Sequence, residues 1–370
     1  SVPWVRAVAV LPGTGRCYSL CCLPAEVAVE DREKFLLDFV EDNEVLRLGD
    51  MSIRLNLQAG IYRLTGGDQE PFIHMLSAAD IAYNEIQGTA AVVGVYDESL
   101  QQGLRVRKQI EDCMEQALRD QEFQVWCQPK YDIRTHRLTG AEALVRWHSS
   151  VMGDLMPGTF IDVFEHNGFI LRFDYYMLEK ICQLQRQRLN DGQKIVPISV
   201  NQSRLHIKEE NYLDKMQRIA DRYKLPAGCV ELELTETAFG DFEQSEQRGH
   251  AVHVIKELKK MGYSISMDDF GSGYSSLALL QTLPMDIMKI DRSMLVSAEE
   301  SPRAKSILRN IVDLGQRLDM EVICEGIETP EQEKFLLELG CRYGQGYLYA
   351  RPMPMQKFAD FIENQGETPV

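Results

Sequence analysis

Seven apolar runs in the last two-thirds of the chain each carry or end in a carboxylate, an amide or a lysine: Glu142, Asn201, Glu233, Asp268-Asp269, Lys289, Glu325 and Gln345. Successive members lie between 20 residues (Asp269 to Lys289) and 59 residues (Glu142 to Asn201) apart. Most of these gaps approach the roughly 30 residues of one strand-plus-helix unit. The pattern predicts polar groups carried on the ends of successive parallel strands, the arrangement by which an α/β barrel builds a site at one face. The strand-like runs are Val125 to Cys127, Ile195 to Val200, Val230 to Leu234, Tyr263 to Met267, Met285 to Ile290, Val322 to Cys324 and Tyr343 to Tyr349. Amphipathic stretches separate them: Ala251 to Met261 is stopped by Gly262, and Ala304 to Leu318 repeats apolar residues at helical spacing. Thr329-Pro330-Glu331-Gln332 reads as a capping box with proline at the first helical position, and Leu339-Gly340 ends that helix.

Gln121 to Val370 is 250 residues, close to the ~250 of an eight-fold (β/α)8 TIM-like barrel. Residues 1–97 form a separate small α+β module in this reading. Strand-like runs at Val8 to Leu11, Tyr18 to Leu23, Ile53 to Tyr62 and Ala91 to Tyr96 flank helical stretches at Arg32 to Asp42 and Phe72 to Ile86. Residues 98–120 read as a connecting helix, with Leu104, Ile110, Met114, Ala117 and Leu118 on one side. The barrel then takes 121–370.

Composition narrows the function classes. A 44% hydrophobic, 26% charged chain can bury a large core, and no apolar run approaches the ~18 residues of a membrane span. A net charge of -16 argues against a nucleic-acid groove, so no DNA partner is expected. Nine cysteines without C-x-x-C spacing, several inside strand-like runs, suggest reduced thiols and a cytoplasmic setting. The start at Ser1 suggests a piece of something longer, in which an upstream sensor or membrane region is expected.

Five acids and two amides converging on one face, with a single lysine, would repel each other unless something more positive sat among them. Hard oxygen donors without histidine or cysteine select Mg2+ or Mn2+ over zinc. Asp268 is placed to bridge two ions while Asp269 reaches one, an arrangement suited to in-line attack on a phosphodiester. Lys289 could orient or help activate the attacking water, or offset phosphate charge. Any single acid of the set is more readily explained as a rim ion pair; the set is not, because too few basic residues occupy equivalent positions. Arg146 reads equally as a phosphate clamp or a surface ion pair, Trp147 reads as packing, and Gly66 to Glu70 as an ordinary turn. Ca2+ prefers six to eight oxygens at longer distances, so it should occupy such a cage without aligning a nucleophile, and inhibition by Ca2+ is expected.

Residues 121 to 365 resemble the EAL domain family of cyclic di-GMP phosphodiesterases. The likeness rests on eight blocks in order: Gln128-Pro129-Lys130, Glu142 to Trp147, Ser199-Val200-Asn201, Glu233 to Glu236, Asp268 to Ser276, Lys289 to Arg292, Glu325 to Thr329 and Gln345-Gly346-Tyr347. The resemblance implies hydrolysis of cyclic di-GMP to linear pGpG with two Mg2+ or Mn2+ ions. It implies Glu142, Asn201, Glu233 and Asp268 as ligands of one metal, with Asp268, Asp269 and Glu325 serving the other. Lys289 and Glu325 are both candidates for the base, and Glu236 for anchoring the loop after Asp269. Gln128, Leu144, Arg146, Asp291, Glu328 and Gln345 fall on the substrate side. Ser149-Ser150 replaces the His-Pro of many members, outside the ligand set. Members commonly pair near the loop after the Asp pair, so a homodimer is expected through Phe270 to Ser276. The rival is a non-hydrolytic cyclic di-GMP receptor, from which an intact ligand set argues away.

The front module resembles the later part of a GGDEF diguanylate cyclase domain through Ile53 to Ile61 and Ala78 to Ala82. Thr14 to Tyr18 stands where the signature acids would be, and Gln87 where a lysine is usual, so no cyclase activity is expected.

Overall fold

The computed structural model describes residues 5–10, 17–21, 45–48, 51–54, 58–62, 71–89, 91–235, 245–271 and 277–364. The chain divides into two compact units, Ser1–Gln109 and Ile110–Val370. In the first, β1 (Val5–Val10) pairs antiparallel with β2 (Cys17–Cys21), and β3 (Val45–Leu48) with β4 (Met51–Arg54). The run read as one strand from Ile53 to Tyr62 is two: β4 ends at Arg54 and β5 (Ala59–Tyr62) pairs elsewhere, parallel to β6 (Val93–Tyr96). Helix α1 (Phe72–Ile86) joins β5 to β6. A Cβ on Gly60 would lie 2.0 Å from the Ala79 carbonyl, and one on Gly94 2.1 Å from that of Ala82. Only glycine lets this helix sit so close to both strands. The expected helix at Arg32 to Asp42, the turn at Gly66 to Glu70 and most of Thr14 to Tyr18 lie outside the described residues. Helix α2 (Glu98–Arg119) runs across the boundary between the units.

The second unit is a closed barrel of eight strands. Their order is β7 (Phe123–Asp132), β8 (Arg137–Ser149), β10 (Ile198–Asn201), β11 (Val230–Thr235), β12 (Ser264–Phe270), β13 (Ile287–Ile290), β14 (Glu321–Cys324) and β15 (Tyr343–Gly344), with β15 closing on β7. All neighbouring pairs are parallel except those of β7, which runs antiparallel to both β8 and β15. This departs from the expected run of successive parallel strands, for a local reason. Asp132 Oδ1 accepts from the Arg134 and Thr135 amides at 3.1 and 2.9 Å, and His136 takes φ of 52°. A turn this tight leaves no room for a crossover helix, so the second strand must run back along the first. Two short strands, β9 (Gly153–Leu155) and β16 (Met353–Pro354), extend the wall.

Helices α3 (Pro157–Asn167), α4 (Ile170–Asn190), α5 (Tyr212–Tyr223), α6 (Ser245–Lys260), α7 (Leu277–Thr282), α8 (Arg292–Glu300), α9 (Pro302–Arg317), α10 (Pro330–Glu338) and α11 (Met355–Asn364) follow in chain order. The capping box at Thr329 forms as expected, with Gln332 reciprocating and Pro330 in the first turn. Tyr343 to Tyr349 is not one strand. Only Tyr343 and Gly344 pair, and Gln345 begins the turn beyond.

Outside the barrel, Trp147 is fully buried, its ring 4.9 Å from Phe123, 5.3 Å from Phe160 and 5.9 Å from Phe164. Its indole N–H donates to Glu122 Oε2 at 2.8 Å. It is packing, as its sequence context suggests. Phe123 also meets Phe160, Phe164, Phe173 and Tyr176 at 5.1–6.4 Å between centroids, so it ties β7 to α3 and α4. Phe123→Ala should lower unfolding free energy by about 3–5 kcal/mol. Urea unfolding checks this, and a loss under about 1 kcal/mol would show that the ring cluster does not hold β7 in place.

Candidate active site

Strand register brings the acids together. Gln128 faces Glu142 across β7 and β8, Glu142 lies beside Ser199 of β10, Asn201 beside Glu233 of β11, and Thr235 beside Asp268 of β12. Side chains two apart on a strand share a face, which turns Glu142, Glu233, Asp268 and Lys289 into one interior. Lys289 Nζ lies 2.8 Å from Glu233 Oε1, 2.9 Å from Asp268 Oδ1, 2.7 Å from Glu325 Oε1 and 3.8 Å from Glu142 Oε2. Glu325 follows the last residue of β14, and its amide donates to the Ile290 carbonyl.

Asp268 and Asp269 should point to opposite sides of a regular strand. They do not have to here, because the β12–β13 register shifts between Met267 and Phe270 and Asp269 adopts φ of 55°. A bulge of this kind re-aims a side chain, and aspartate is among the few residues that enter the left-handed region at modest cost. Carboxylate oxygens of Asp268, Asp269 and Glu325 consequently lie within 4.8 Å of one another.

Amides hold the other side. Gln345 Nε2 donates to Glu142 Oε2 at 2.6 Å and to Gln128 Oε1 at 3.2 Å, and Asn201 Nδ2 approaches Glu142 Oε1 at 3.5 Å. Gln345 reaches inward because the next residue packs its backbone on Ile327: a Cβ on Gly346 would lie 2.0 Å from the Ile327 carbonyl.

A second buried lysine lies one layer below. Lys130 Nζ is 2.8 Å from Ser199 Oγ, 3.1 Å from Glu231 Oε2 and 3.1 Å from Glu233 Oε1. Neither Lys130 nor Glu231 was singled out from the sequence, yet a signal was present. Each lies two residues before or after a predicted inward residue, Gln128 and Glu233 respectively, and alternation places such pairs on the same face.

Six carboxylates (Glu142, Glu231, Glu233, Asp268, Asp269 and Glu325) thus surround two ammonium groups, an excess of four negative charges were all ionised. The metal-free chain relieves it by protonation. Burial pushes the Glu325 carboxyl up to about 8, with Lys289 only partly opposing it. Burial likewise raises Glu142 to about 7 against the pull of Lys289, and burial with the neighbouring Asp268 raises Asp269 to about 6. Glu233 goes the other way: burial opposes its ionisation, but Lys289 and Lys130 together bring it down to about 2. Buried oxygens of Glu233, Asp268, Glu325 and Gln345 have no aligned hydrogen-bond donor. Lys289 meets three of these residues at ion-pair distance, through Glu233 Oε1, Asp268 Oδ1 and Glu325 Oε1. Oxygens gathered this way, in an acidic cage free of nitrogen and sulfur donors, fit hard divalent cations.

Other expected site residues fall around the rim. Leu144 and Arg146 lie on the same face of β8 as Glu142, and the Arg146 guanidinium sits 5.5 Å over the Trp126 ring while donating to the Val145 carbonyl at 2.6 Å. Asp291 caps α8, accepting from the Ser293 amide at 2.9 Å, and Glu328 pairs with Arg292 at 2.9 Å. Neither joins the Lys289 cluster. Glu236 and residues 272–276 lie outside the described residues. Cys113, Cys127, Cys182, Cys229, Cys324 and Cys341 are free thiols, and all but Cys113 are buried.

Residues 111–352 match the EAL domain. The chain belongs to the EAL domain family. It is 34% identical over 255 residues, 69% of its length, to the cyclic di-GMP phosphodiesterase NbdA of Pseudomonas aeruginosa, of which it covers 32%. It is 31% identical over 306 residues, 82% of its length, to the bifunctional diguanylate cyclase/cyclic di-GMP phosphodiesterase MucR of the same organism, covering 44% of that protein. The chain therefore spans about a third to under a half of the length of these curated relatives. Among solved structures, the PaMucR phosphodiesterase in complex with c-di-GMP superposes with a TM-score of 0.62 at 32% identity, covering 68% of this chain and 99% of that one. The EAL enzyme Bd1971 in its cAMP- and cyclic-di-GMP-bound form gives 0.64 at 27% identity, covering 80% and 77%.

The raised carboxyls make the metal-free EAL domain sensitive to alkali. Between about pH 4.5 and 8 the native state holds protons on Glu142, Asp269 and Glu325 that the unfolded chain has released, so stability falls as pH rises across that window. In metal-stripped protein the urea midpoint should therefore decline from pH 5 to pH 8, and Glu325→Gln should flatten the upper part of the decline. A midpoint constant across this range would refute the argument.

Proposed function

We propose that this chain hydrolyses one phosphodiester bond of cyclic di-GMP to give linear pGpG, using two Mg2+ or Mn2+ ions. The observation that carries the reading is the cluster of buried carboxylates gathered on Lys289, together with the Asp268, Asp269 and Glu325 oxygens that lie within 4.8 Å of one another. In this reading Glu142, Asn201, Glu233 and Asp268 hold one ion, and Asp268, Asp269 and Glu325 the other. Bound there, the ions would supply Lewis-acid charge at the scissile phosphate and lower the pKa of water. The rest belongs to the chain. Lys289, fixed among carboxylates, places a positive charge beside the reacting atoms, and Glu325, 2.7 Å from it, can exchange a proton near neutral pH. Glu325 is the group able to take up a proton, whereas Lys289 stays an ammonium: burial opposes its charge, but Glu142, Glu233 and Glu325 hold its pKa well above the ordinary lysine value, which suits it to orienting the water. Gln128, Leu144, Arg146 and Gln345 line the mouth for the dinucleotide, with Asp291 and Glu328 at its edge. Glu236 anchors the loop after Asp269 in this proposal.

The front unit is proposed to be a degenerate GGDEF domain without cyclase activity. A homodimer formed near the loop after the Asp pair also belongs to the proposal. Phe270 itself is only 2% exposed within the barrel wall. No described helix is long and apolar enough to cross a membrane.

Asp268→Asn, Glu142→Gln and Asn201→Ala should each lower turnover of cyclic di-GMP by more than about 100-fold, the upper range for losing a mere supporting partner of a ligand, while far-UV circular dichroism is retained. Chromatography for pGpG at saturating Mg2+ checks this, and near-normal turnover in Asp268→Asn would defeat the two-ion assignment. Ca2+ titrated into the same assay should inhibit, since calcium's longer, looser coordination does not keep the compact geometry. Turnover with Ca2+ alone equal to that with Mg2+ would overturn the geometric argument.

A further inference from the structure

Asn201 differs from the other proposed ligands in how it is held. Glu233 and Asp268 are gripped by Lys289, and Glu142 by Gln345, but the Asn201 amide meets only a 3.5 Å contact to Glu142. Its position is set by its backbone. Gln202 N–H donates to the Glu233 carbonyl at 2.9 Å, Gln202 Nε2 donates to the Asn201 carbonyl at 3.1 Å, and the Ser203 N–H donates to Asp174 Oδ2 at 2.7 Å.

Asp174 lies on α4, outside the barrel, and is 4% exposed. The same oxygen sits 3.1 Å from His206 Nε2, and His206 is itself fully buried, stacked on Tyr212 with its other nitrogen 3.2 Å from Glu209 Oε2. Ser203 Oγ donates to Glu165 at 2.8 Å, and the Tyr212 hydroxyl donates to Gln202 Oε1 at 3.2 Å. A buried carboxylate is costly unless its hydrogen bonds are well made, and here one is made with the Ser203 amide, two residues past the end of β10, and the other with the His206 ring. None of these groups reaches the Lys289 cluster.

We propose that Asp174 is a positioning residue for the metal centre: by clamping the Ser203 amide to α4 it fixes the backbone from which Asn201 projects. The inference rests on the reading of Asn201 as a ligand. A side chain that supports a ligand sets affinity by keeping the donor in place before the ion arrives.

The test is Mn2+ binding to the metal-stripped full chain, followed by calorimetry, alongside urea unfolding of the same samples. Asp174→Ala should weaken binding by about 10–100-fold, and Asp174→Asn, whose amide oxygen still accepts from Ser203, by less. Tyr175→Phe is the control. It breaks the 2.8 Å bond from Tyr175 to Glu209 in the same cluster without touching Asp174, so it should cost stability yet leave Mn2+ affinity unchanged. Should Asp174→Ala not fold, Ser203→Pro decides, since it removes the amide N–H that Asp174 holds at a φ of -65° that proline adopts, and an affinity equal to that of the unaltered chain overturns the proposal. Equal weakening in Tyr175→Phe overturns it too, since that is general loosening. Failure of the unaltered chain to bind Mn2+ would sink the metal reading and this inference with it.

Discussion

A fully buried ammonium shared by four carboxylates is the constraint on which the barrel depends. Removing Lys289 from water costs several kcal/mol, and only the acids around it make that tolerable. The dependence is mutual, because those acids, held without the lysine, would face one another. For the two sides to meet, β11 through β14 must be paired in one register. A slip of one residue would turn the lysine or its partners into the apolar layer against the helices. Lys130, pinned by Ser199, Glu231 and Glu233, repeats the logic one layer down. This interior is therefore ordered by charge, where the interior of such a barrel is more often filled by branched apolar side chains.

Within that frame the oxygen donors are secured in three different ways. Glu233 and Asp268 are held by ion pairs, Glu142 by the Gln345 amide, and Asn201 by its own main chain. The bulge at Asp269 adds a fourth device, a local backbone irregularity that puts neighbouring residues to a common use.

Much of this was legible in the sequence, because apolar runs closed by acids are what parallel strand ends look like, and Glu233, Asp268, Lys289 and Glu325 lie toward or just past the ends of β11 to β14, whereas Glu142 sits in the middle of β8, which runs on to Ser149. The Thr329 capping box was equally readable, being set by four adjacent residues. Other features depend on distant partners. The reversal of β7 comes from the Asp132 turn, which hydrophobic pattern does not report, and the run ending at Tyr349 looks like one strand because apolar residues in a tight turn pack on Ile327 just as they would in a sheet. Lys130 and Glu231 went unassigned because a buried lysine is unusual enough that polarity alone argues for the surface. Asp174 lies some thirty residues from the strand end it holds, a relation only the folded chain reveals.

The reversed first strand changes where the polypeptide enters the barrel. In an all-parallel barrel the first strand begins at the floor, remote from the catalytic rim. Here Phe123 pairs with Trp147 near the far end of β8 and Asp132 with Arg137 at its beginning, so the chain arrives at the mouth and runs down from it. Gln128 is only five residues in, bonded to Gln345 and opposite Glu142. The chain just before Phe123 therefore joins the barrel on the side toward which β8 runs, and reaches Glu142 without crossing the barrel.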